Sequence, residues 1–395
     1  MRKPHSYILL LLLIFYGCTD KKSVETTPWG ETLENGNDKV PPSENFSFAD
    51  IQSNGEMIML TMNGPDTYFD YHGKGMGTQF LLCQKFAQQI GVSLRVEVCK
   101  DTTEMLRKLK DGDGDIIAYQ LAQDVSGVRH CGYAIDSLHT SWAVNKNNPE
   151  LADTLSRWYK PNMIAQIKKE EDYLFSSRSV TRHVYAPMLN ASKGTISMYD
   201  GLFQKYAPIA RWDWRLIAAQ CYQESAFDKN AKSWAGACGL MQIMPATANT
   251  VGLDMSEIYE PEANIASAVK YIALLNEKFR DIPNPNERRL YVLASYNGGF
   301  FHIRDAMALA RKNGRNAYKW SDVSEYVLKL SQPEYFRDPV VKYGYMRGSE
   351  TVTYVESICS RWAKYRGFAN GRSISSFPSG NNIPHKSRHK NRFSK

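Results

Sequence analysis

Two kinds of apolar segment follow each other along this chain of 395 residues, and their order limits the folds it can adopt. Between residues 56 and 122, the runs "EMIMLTM" and "VSLRVEV" are typical of buried strands, and "GTQFLLCQKFAQQIG" between them has the apolar spacing of a helix. From residue 195 to Gly367 the chain consists mainly of amphipathic helical runs punctuated by Gly, Pro and Asn. The sequence therefore predicts a small parallel α/β unit followed by a mainly α-helical domain.

Length and composition agree with two folded regions. A chain of this length suits two compact domains with tails, and its hydrophobic content of 43% is enough for real cores. The formal net charge of +8 is modest, and no dense stripe of Lys and Arg crosses the middle of the sequence. We therefore expect no nucleic-acid partner.

The first 18 residues, "MRKPHSYILLLLLIFYGC", contain a basic start and an apolar run from Ile8 to Tyr16, followed by Gly17 and Cys18. The run is too short to span a bilayer, so it is typical of a signal peptide. A small residue before a cysteine at this place resembles a bacterial lipoprotein signal, in which Cys18 is acylated and becomes the mature N-terminus. This resemblance implies an anchor in a membrane of the cell envelope, with the outer membrane and a periplasmic orientation as the expected location. An ordinary secretory signal is the alternative.

Two polar segments flank the predicted domains. Residues 19–50 carry scattered Pro, Gly and Asn without an apolar period, which predicts a flexible tether. Residues 367–395 include a stretch with six Lys or Arg and no acid, which predicts a disordered basic tail. The tail either aids solubility or contacts anionic wall polymers or lipid headgroups.

Six cysteines follow Cys18, and their spacing matches no metal-binding pattern. Neither CxxC nor HExxH occurs, so we expect no metal site. An exported chain can oxidise its thiols, but the spacing selects no pairing, and isolated buried thiols are the alternative.

The first region resembles a known binding fold. The order of its strands and helices, with "GKGMGTQFLLCQKFAQQIG" and "MLRKLKDGDGDIIA", resembles one lobe of the periplasmic solute-binding proteins. Soon after Ala118 the chain reaches "SWAVNKNNPELADTLSRWYK", which resembles the return of such proteins to their first lobe, so we expect the second lobe to be missing. A single lobe has no cleft that buries a solute. Residues 51–180 are therefore expected to form a truncated domain that regulates, docks, or binds a muropeptide or protein ligand.

One glycine-rich stretch in this region needs a separate interpretation. The segment "GKGMG" lacks the GxxxxGK[ST] pattern of a phosphate-binding loop. We expect it to be a turn that leads into the following helix.

A carboxylate lies at the end of an apolar helix in the second region. The segment "DWRLIAAQCYQES" begins with Asp213 as a predicted N-cap, and Glu224 shares a helix face with Ile217 and Cys221. Partial loss of water on that face raises the pKa of the carboxyl, and a shift of two units corresponds to roughly 2.7 kcal/mol. A protonated Glu224 can act as a general acid, which typically raises rates about a hundred- to ten-thousand-fold. The alternative is a Glu that caps the helix or forms a salt bridge.

Four motifs in order support the catalytic interpretation. After "ES" come "KSWAGACGLMQIMPATA", "ASYNGGFFHIRDA" and "YGYMRGSETVTYVESI". Across residues 195–366 they resemble the all-helical, lysozyme-like (goose-type) catalytic domain of the soluble-lytic-transglycosylase family. The resemblance implies that Glu224 is the sole catalytic acid and base, that peptidoglycan glycan strands are the substrate, and that no cofactor is needed.

The same resemblance implies a set of substrate-binding positions, each of which has an alternative role in the core or in a turn. They are Ser233, Gln242, Met244, Tyr296, Asn297 and Tyr354. We expect the Tyr296 hydroxyl to orient the carboxyl of Glu224, and Gln242 and Asn297 to hold polar groups of the glycan. The chain departs from the family pattern "YNAGxGH", because Gly298 replaces Ala and Phe301 replaces Gly, and Phe301 is expected to reshape the groove.

The implied reaction cleaves the bond between N-acetylmuramic acid and N-acetylglucosamine without water and gives a 1,6-anhydro product. Ordinary glycosidases use two carboxylates, and no second acid is expected to belong to these motifs. A lysozyme-type hydrolase, which shares this architecture, is one alternative. The other is a non-catalytic wall-binding or sensory lipoprotein, which the intact "ES", "GLMQIMP" and "YN" disfavour.

Overall fold

The computed structural model describes residues 47–190 and 192–369, and all of these belong to one compact unit. Several predictions fall on other residues: the signal peptide with Cys18, most of the tether, and most of the basic tail lie outside the described residues. Within the described ranges, no helix combines the length and the apolar character needed to cross a membrane.

Strands and helices alternate in the first region. The strands described there are β1 (Glu56–Thr61), β2 (Phe69–Tyr71), β3 (Lys74–Met76), β4 (Ser93–Val98), β5 (Ile116–Ala122), β6 (Val128–Ile135) and β7 (Thr140–Asn145). The helices are α1 (Phe48–Asn54), α2 (Thr78–Gln89), α3 (Thr102–Asp111), α4 (Pro149–Trp158) and α5 (Asn162–Leu174).

Five of these strands form one sheet in the order β4-β1-β5-β7-β6. Strand β1 pairs in parallel with β4 and β5, so the prediction of a parallel α/β unit is confirmed for these three strands. Strand β7 runs antiparallel to both β5 and β6, which makes the whole sheet mixed. The apolar run of β1 has no polar alternation because this central strand is covered on both faces.

The two faces of the sheet belong to different apolar clusters. Leu60 and Ile117 pack with Met105 and Leu109 of α3 in a small cluster of their own. Met59, one residue earlier on β1, belongs to a large cluster that continues without interruption into the helical region. The folded core is therefore shared between the two predicted domains.

Strands β2 and β3 form a hairpin that corrects the interpretation of "GKGMG" as a turn. The first three residues after its leading glycine form β3, which pairs antiparallel with β2. The hairpin turn lies one step earlier, at His72 and Gly73, which have φ values of 50° and 75°. Two consecutive residues with positive φ match the twist of a two-residue hairpin turn. Strand β3 therefore begins directly after this turn and continues to Met76.

The second region is helical, which confirms the predicted class of fold. Its helices within the described residues are α6 (Asp200–Ala210), α7 (Trp214–Ser225), α8 (Pro245–Val251), α9 (Pro261–Lys278), α10 (Pro285–Gly298), α11 (Phe300–Lys312), α12 (Trp320–Lys329), α13 (Pro333–Phe336) and α14 (Gly348–Ala369).

Helix α7 lies in the centre of this region. Its N-cap is Asp213, as predicted, and the Asp213 side chain accepts hydrogen bonds from the backbone N–H of Arg215 and from the indole of Trp362. Residues 216–221 are all buried, and a helix that is apolar or buried around its whole circumference belongs to a core. The helix thus carries its C-terminal residues from the core into the site described below.

Two of the predicted boundaries differ from the structure by three residues. Helix α1 begins at Phe48, inside the predicted tether, because Ser47 and Asp50 form a reciprocal capping box. Helix α14 continues through Ala369, inside the predicted tail. Its last turns are held by the Tyr365 hydroxyl, which donates to the Pro187 carbonyl over 2.6 Å.

All six cysteines of the described residues are free thiols. Five of them are buried, and burial raises the pKa of Cys99 to about 11 and that of Cys131 to about 12. At neutral pH these side chains act as small apolar groups of the core.

Candidate active site

Glu224 occupies the penultimate position of α7, where the chain leaves the core. The helix ends because Ala226 and Phe227 adopt left-handed φ values of 52° and 65°, which are uncommon for residues other than glycine. Arg182 donates from Nη1 to the Glu224 carbonyl over 3.1 Å and so satisfies one of the orphan carbonyls of the helix end. These contacts fix the backbone of Glu224.

The carboxyl of Glu224 is part-buried and accepts a hydrogen bond from one hydroxyl group. Burial raises its pKa to about 8, while the hydrogen bond from Tyr354 and the charge of Arg182 lower it, and the charge of Glu350 raises it. The Tyr354 hydroxyl donates to Oε1 over 2.5 Å. Glu224 is therefore mainly protonated at neutral pH.

A short chain of hydrogen bonds orients this carboxyl. Gln220, one turn before Glu224 on α7, donates from Nε2 to the Tyr354 hydroxyl over 3.2 Å, and Tyr354 of α14 donates onward to Glu224. The expectation that Tyr296 orients the carboxyl is wrong, because its hydroxyl donates to the Met241 carbonyl over 2.8 Å. Gln220 was missed by the sequence analysis, although its spacing of four residues from Glu224 places both on one helix face.

The "GLMQIMP" segment forms a tight loop beside Glu224. Gln242 has a φ of 47°, and its side-chain amide donates to the carbonyls of Ala231 and Gly239 over 3.1 and 2.9 Å. Asn264, fully buried on α9, accepts from the Met241 backbone N–H over 2.8 Å and donates to two loop carbonyls. A Cβ at Gly239 would collide with Asn264, so only glycine fits there. The loop is held rigidly by buried amides.

Two further predicted positions have structural partners of their own. The Ser233 hydroxyl accepts the backbone N–H of Ala237 over 2.9 Å and closes a local loop. The Asn297 side-chain oxygen accepts from the Thr351 hydroxyl over 2.7 Å, which directs the rest of the Asn297 amide. Ser233 and Asn297 therefore shape the site as well as line it.

All seven predicted site residues line a single cavity of about 540 Å³. They are Glu224, Ser233, Gln242, Met244, Tyr296, Asn297 and Tyr354. A second cavity of about 680 Å³ shares lining residues with the first, including Met244, Tyr296 and Asn297. The two cavities are joined through these shared residues, and together they are called the groove.

The hairpin of β2 and β3 reaches into this groove from the first region. The Tyr71 ring lies parallel to the Trp234 ring with 5.7 Å between centroids, and its hydroxyl donates to Glu350 Oε1 over 2.8 Å. Tyr71 and His72 line both cavities. The predicted site lay within residues 195–366 alone, so this contribution of the first region was not expected.

Glu350 corrects a second expectation, that no further acid belongs to the site. It lies at the start of α14, lines both cavities, and raises the pKa of Glu224 by its charge. Its carboxylate accepts from Tyr71 and lies 3.7 Å from the Arg347 guanidinium. The cavity around Glu224 therefore contains a second carboxyl group, which is paired.

The described part of the chain offers no group of three His, Cys, Asp or Glu side chains that could hold a metal ion. What the groove presents is a protonated carboxyl, amide and hydroxyl groups, and aromatic rings. Such a surface suits a ligand with many hydroxyl and amide groups, and Glu224 can protonate an oxygen atom of that ligand.

Comparison with known proteins defines the class of this site. Residues 201–319 match the family model for the "Transglycosylase SLT domain", and this range includes Glu224 and each predicted substrate-binding residue except Tyr354. Residues 201–319 are thus similar to a transglycosylase SLT domain, and the predicted class of enzyme, a lytic transglycosylase, is confirmed.

Among individual proteins, the chain is similar to membrane-bound lytic murein transglycosylase F. Its alignment with that protein from Desulfosudis oleivorans is 410 positions long, is 27% identical, and covers 78% of this chain and 89% of the relative. It is 29% identical to the protein of that name from Vibrio cholerae over 293 residues, which cover 71% of this chain and 53% of the relative. The chain thus spans about half the length of the Vibrio protein.

A solved structure with a similar region is the 70 kDa soluble lytic transglycosylase SLT70 from Escherichia coli. It is 23% identical, with a TM-score of 0.34, over 53% of this chain and 28% of that chain.

Proposed function

We propose that this protein is a peptidoglycan lytic transglycosylase that cleaves the β-1,4 bond between N-acetylmuramic acid and N-acetylglucosamine and leaves a 1,6-anhydromuramyl end. The observation that carries this proposal is the carboxyl of Glu224, which has a pKa of about 8 and lies in a groove lined by amide, hydroxyl and aromatic groups. The names of the relatives, lytic murein transglycosylases, supply the substrate.

In the first step, protonated Glu224 donates its proton to the glycosidic oxygen. The bond from the muramyl C1 to that oxygen breaks, and the N-acetylglucosamine side leaves with a hydroxyl group. The positive charge that develops at C1 is stabilised by the acetamido oxygen of the same muramyl residue. A carboxyl with a pKa near the working pH is well matched to this transfer.

In the second step, the ionised Glu224 removes the proton from the muramyl C6 hydroxyl. The C6 oxygen then bonds to C1 and closes the 1,6-anhydro ring. The net result is one C–O bond broken, one C–O bond formed and one proton moved from O6 to the leaving oxygen. No water is consumed, and Glu224 ends protonated as it began.

Neighbouring residues support both states of this carboxyl. The Tyr354 hydroxyl, backed by Gln220, donates to Oε1 and stabilises the anion that forms after the first step. The Gln242 amide nitrogen is engaged with loop carbonyls, and among the described residues no donor reaches its oxygen. That oxygen is suited to accept a hydrogen bond from an N-acetyl N–H of the glycan.

Hydrolysis is the second candidate, and Glu350 is the observation that favours it. A hydrolase needs a second carboxylate to act as nucleophile or to activate water, and Glu350 lines the same cavity as Glu224. Against this role, Glu350 is engaged by Tyr71 and Arg347. We therefore assign Glu350 to the structure of the groove.

The proposed cellular setting is supported by the N-terminal sequence and by the names of the relatives. We place the protein in the cell envelope, anchored by an acylated Cys18, where it acts in wall remodelling. The relatives are named membrane-bound, which supports this location. The truncated N-terminal region, residues 51–180, is proposed to modulate the catalytic region or to bind a muropeptide or protein.

Digestion of purified peptidoglycan sacculi tests the proposal. Mass spectrometry of the products should give muramyl ends that are lighter by one water than reducing ends, and the rate should fall above pH about 8 as Glu224 ionises. Glu224→Gln should lose at least about a hundredfold in rate. Glu350→Gln should keep the anhydro product, whereas reducing ends that disappear with Glu350→Gln would establish hydrolysis instead.

A further inference from the structure

Two exposed aromatic rings face the second cavity of the groove. Phe301 is 51% exposed and Tyr343 is 45% exposed, although large aromatic side chains are normally more buried. Their rings stack with 4.4 Å between centroids and 18° between planes. We call this pair the aromatic platform.

The platform is held in place by buried contacts. Phe301 lies in the first turn of α11, and Asp305, one turn later on the same helix, is only 4% exposed. The Asp305 carboxylate accepts the backbone N–H groups of Lys342 and Tyr343 over 3.1 and 2.7 Å. A single helix therefore positions both rings, one directly and the other through a buried carboxylate.

The platform is continuous with the catalytic cavity. Phe301 and Tyr343 line the cavity of about 680 Å³, and this cavity shares Met244, Tyr296 and Asn297 with the cavity that contains Glu224. Neither platform ring lines the catalytic cavity itself. A ligand that passes Glu224 and continues along the groove therefore reaches the platform.

Polar side chains line the same cavity as the platform. The exposed side chains of Asp70 and Lys74 line it from the hairpin of β2 and β3. A pyranose ring has an apolar face of C–H groups and a rim of hydroxyl and amide groups. It is thus complementary to an aromatic surface bordered by charged and polar side chains.

We propose that the aromatic platform of Phe301 and Tyr343 is a distal subsite that binds a hexosamine ring of the glycan strand, remote from the bond that Glu224 cleaves. The inference rests on the proposed function, because a polymeric sugar is the ligand that extends from one cavity to the other. Phe301 stands where the resembled family pattern has glycine, so this subsite is a property of this chain. Its contribution increases the affinity for long strands and leaves the affinity for short ones unchanged.

Binding measurements in a Glu224→Gln background, which does not cleave the ligand, test the subsite. The ligands are peptide-free glycan strands long enough to reach the platform, strands of the same length that carry stem peptides, and a single disaccharide. Phe301→Ala and Tyr343→Ala should each weaken binding of the long strands about three- to tenfold and leave disaccharide binding unchanged. Tyr343→Phe keeps the ring and should bind like the parent.

The matched control is Tyr318→Ala, which removes a ring that is 42% exposed and lines neither cavity. It should bind both ligands like the parent. Thermal unfolding of each variant checks that the fold is kept, and two separate platform variants guard against failure of one of them.

Three outcomes would overturn the subsite. If the parent binds no glycan of either length, the proposed function fails and the subsite with it. If the parent binds but both platform variants match it on long strands, the subsite alone is wrong. If the variants weaken only strands that carry stem peptides, the platform binds peptide and the assignment to a sugar ring is wrong.

Discussion

At the scale of single residues, Glu224 lowers the stability of the folded protein because it is held uncharged. Its pKa of about 8 in the folded state lies above the ordinary value of 4.5. As the pH rises from 4.5 to 8, ionisation of this carboxyl lowers the free energy of the unfolded chain. The folded chain, in which the carboxyl stays protonated, is not stabilised in this way. The resulting loss of stability is absent at pH 4 and complete above pH about 8.

Glu224→Gln should therefore melt at a higher temperature than the wild type at pH 8 and at the same temperature at pH 4. Glutamine has nearly the same shape and keeps an oxygen that accepts from Tyr354. Thermal unfolding at the two pH values measures the effect, and Glu356→Gln, an exposed carboxylate on α14, serves as the control. Equal melting of wild type and Glu224→Gln at pH 8 would contradict the buried, protonated state.

Gly298 shows why one departure from the family pattern is required here. A Cβ at this position would overlap the Met346 methyl group and would lie 2.5 Å from the Thr351 hydroxyl oxygen. That hydroxyl donates to the Asn297 side chain in the groove. The alanine of the family pattern fits only if its neighbours differ from those in this chain.

Gly298→Ala should lower the free energy of unfolding by about 1–3 kcal/mol, because overpacking displaces Met346 and Thr351. It should also slow glycan cleavage, since Asn297 loses its partner. Gly201→Ala is the matched control in a helix, because its Cβ meets nothing within 4 Å. That control should be neutral or slightly stabilising. Urea unfolding and product release from sacculi measure the two effects, and a Gly298→Ala protein as stable as the control would refute the steric argument.

At the scale of secondary-structure elements, the hairpin of β2 and β3 is joined to the catalytic region by an aromatic contact. Tyr71 stacks on Trp234, and offset aromatic pairs contribute about 0.5–1.5 kcal/mol beyond the area they bury. A double-mutant cycle of Tyr71→Ala and Trp234→Ala should give a coupling energy in that range by urea unfolding. Tyr71→Ala combined with Tyr318→Ala should be additive. Additivity in both cycles would mean that the stacking has no energetic role.

The elements that the sequence predicted well are those with a long and regular pattern. Helix α7 could be predicted from its N-cap Asp213 and its apolar faces, and β1 from an unbroken apolar run. The hairpin could not be predicted in this way. Each of its strands has three residues and buries one side chain, Phe69 or Met76, so the sequence shows no alternation of apolar and polar residues there.

The residues of the candidate site also fall into a group that the sequence predicted and a group that it did not. The resemblance of the motifs to a known family supplied Glu224 and the six other predicted residues, most of which lie on α7, the adjoining loop and the end of α10. The contact between Tyr71 and Glu350 spans 279 positions of the sequence, and a single sequence carries no signal for such a pairing. The exchange of roles between Tyr296 and Tyr354 was equally hidden, because both are tyrosines beside the same cavity and only geometry separates their partners.

At the scale of the whole molecule, the two regions share one core. Asn63 of the first region accepts the backbone N–H of Tyr345 over 2.6 Å, and the Phe69 ring packs against the Tyr345 ring with 4.8 Å between centroids. The large apolar cluster contains residues of both β1 and α7. Removal of either region would expose this shared surface to water, so neither is expected to unfold alone.

Hydrogen exchange under native conditions tests this cooperativity, because the slowest amides of each region report the free energy of the opening that exposes them. The slowest amides of β1 and of α7 should exchange with the same opening free energy and should respond equally to added urea. The control is α5, whose side chains are mostly exposed and whose amides should open at lower free energy. If α7 kept its protection under conditions in which β1 had lost it, the two regions would be independent folding units, and the hairpin would be docked on the groove by local contacts alone.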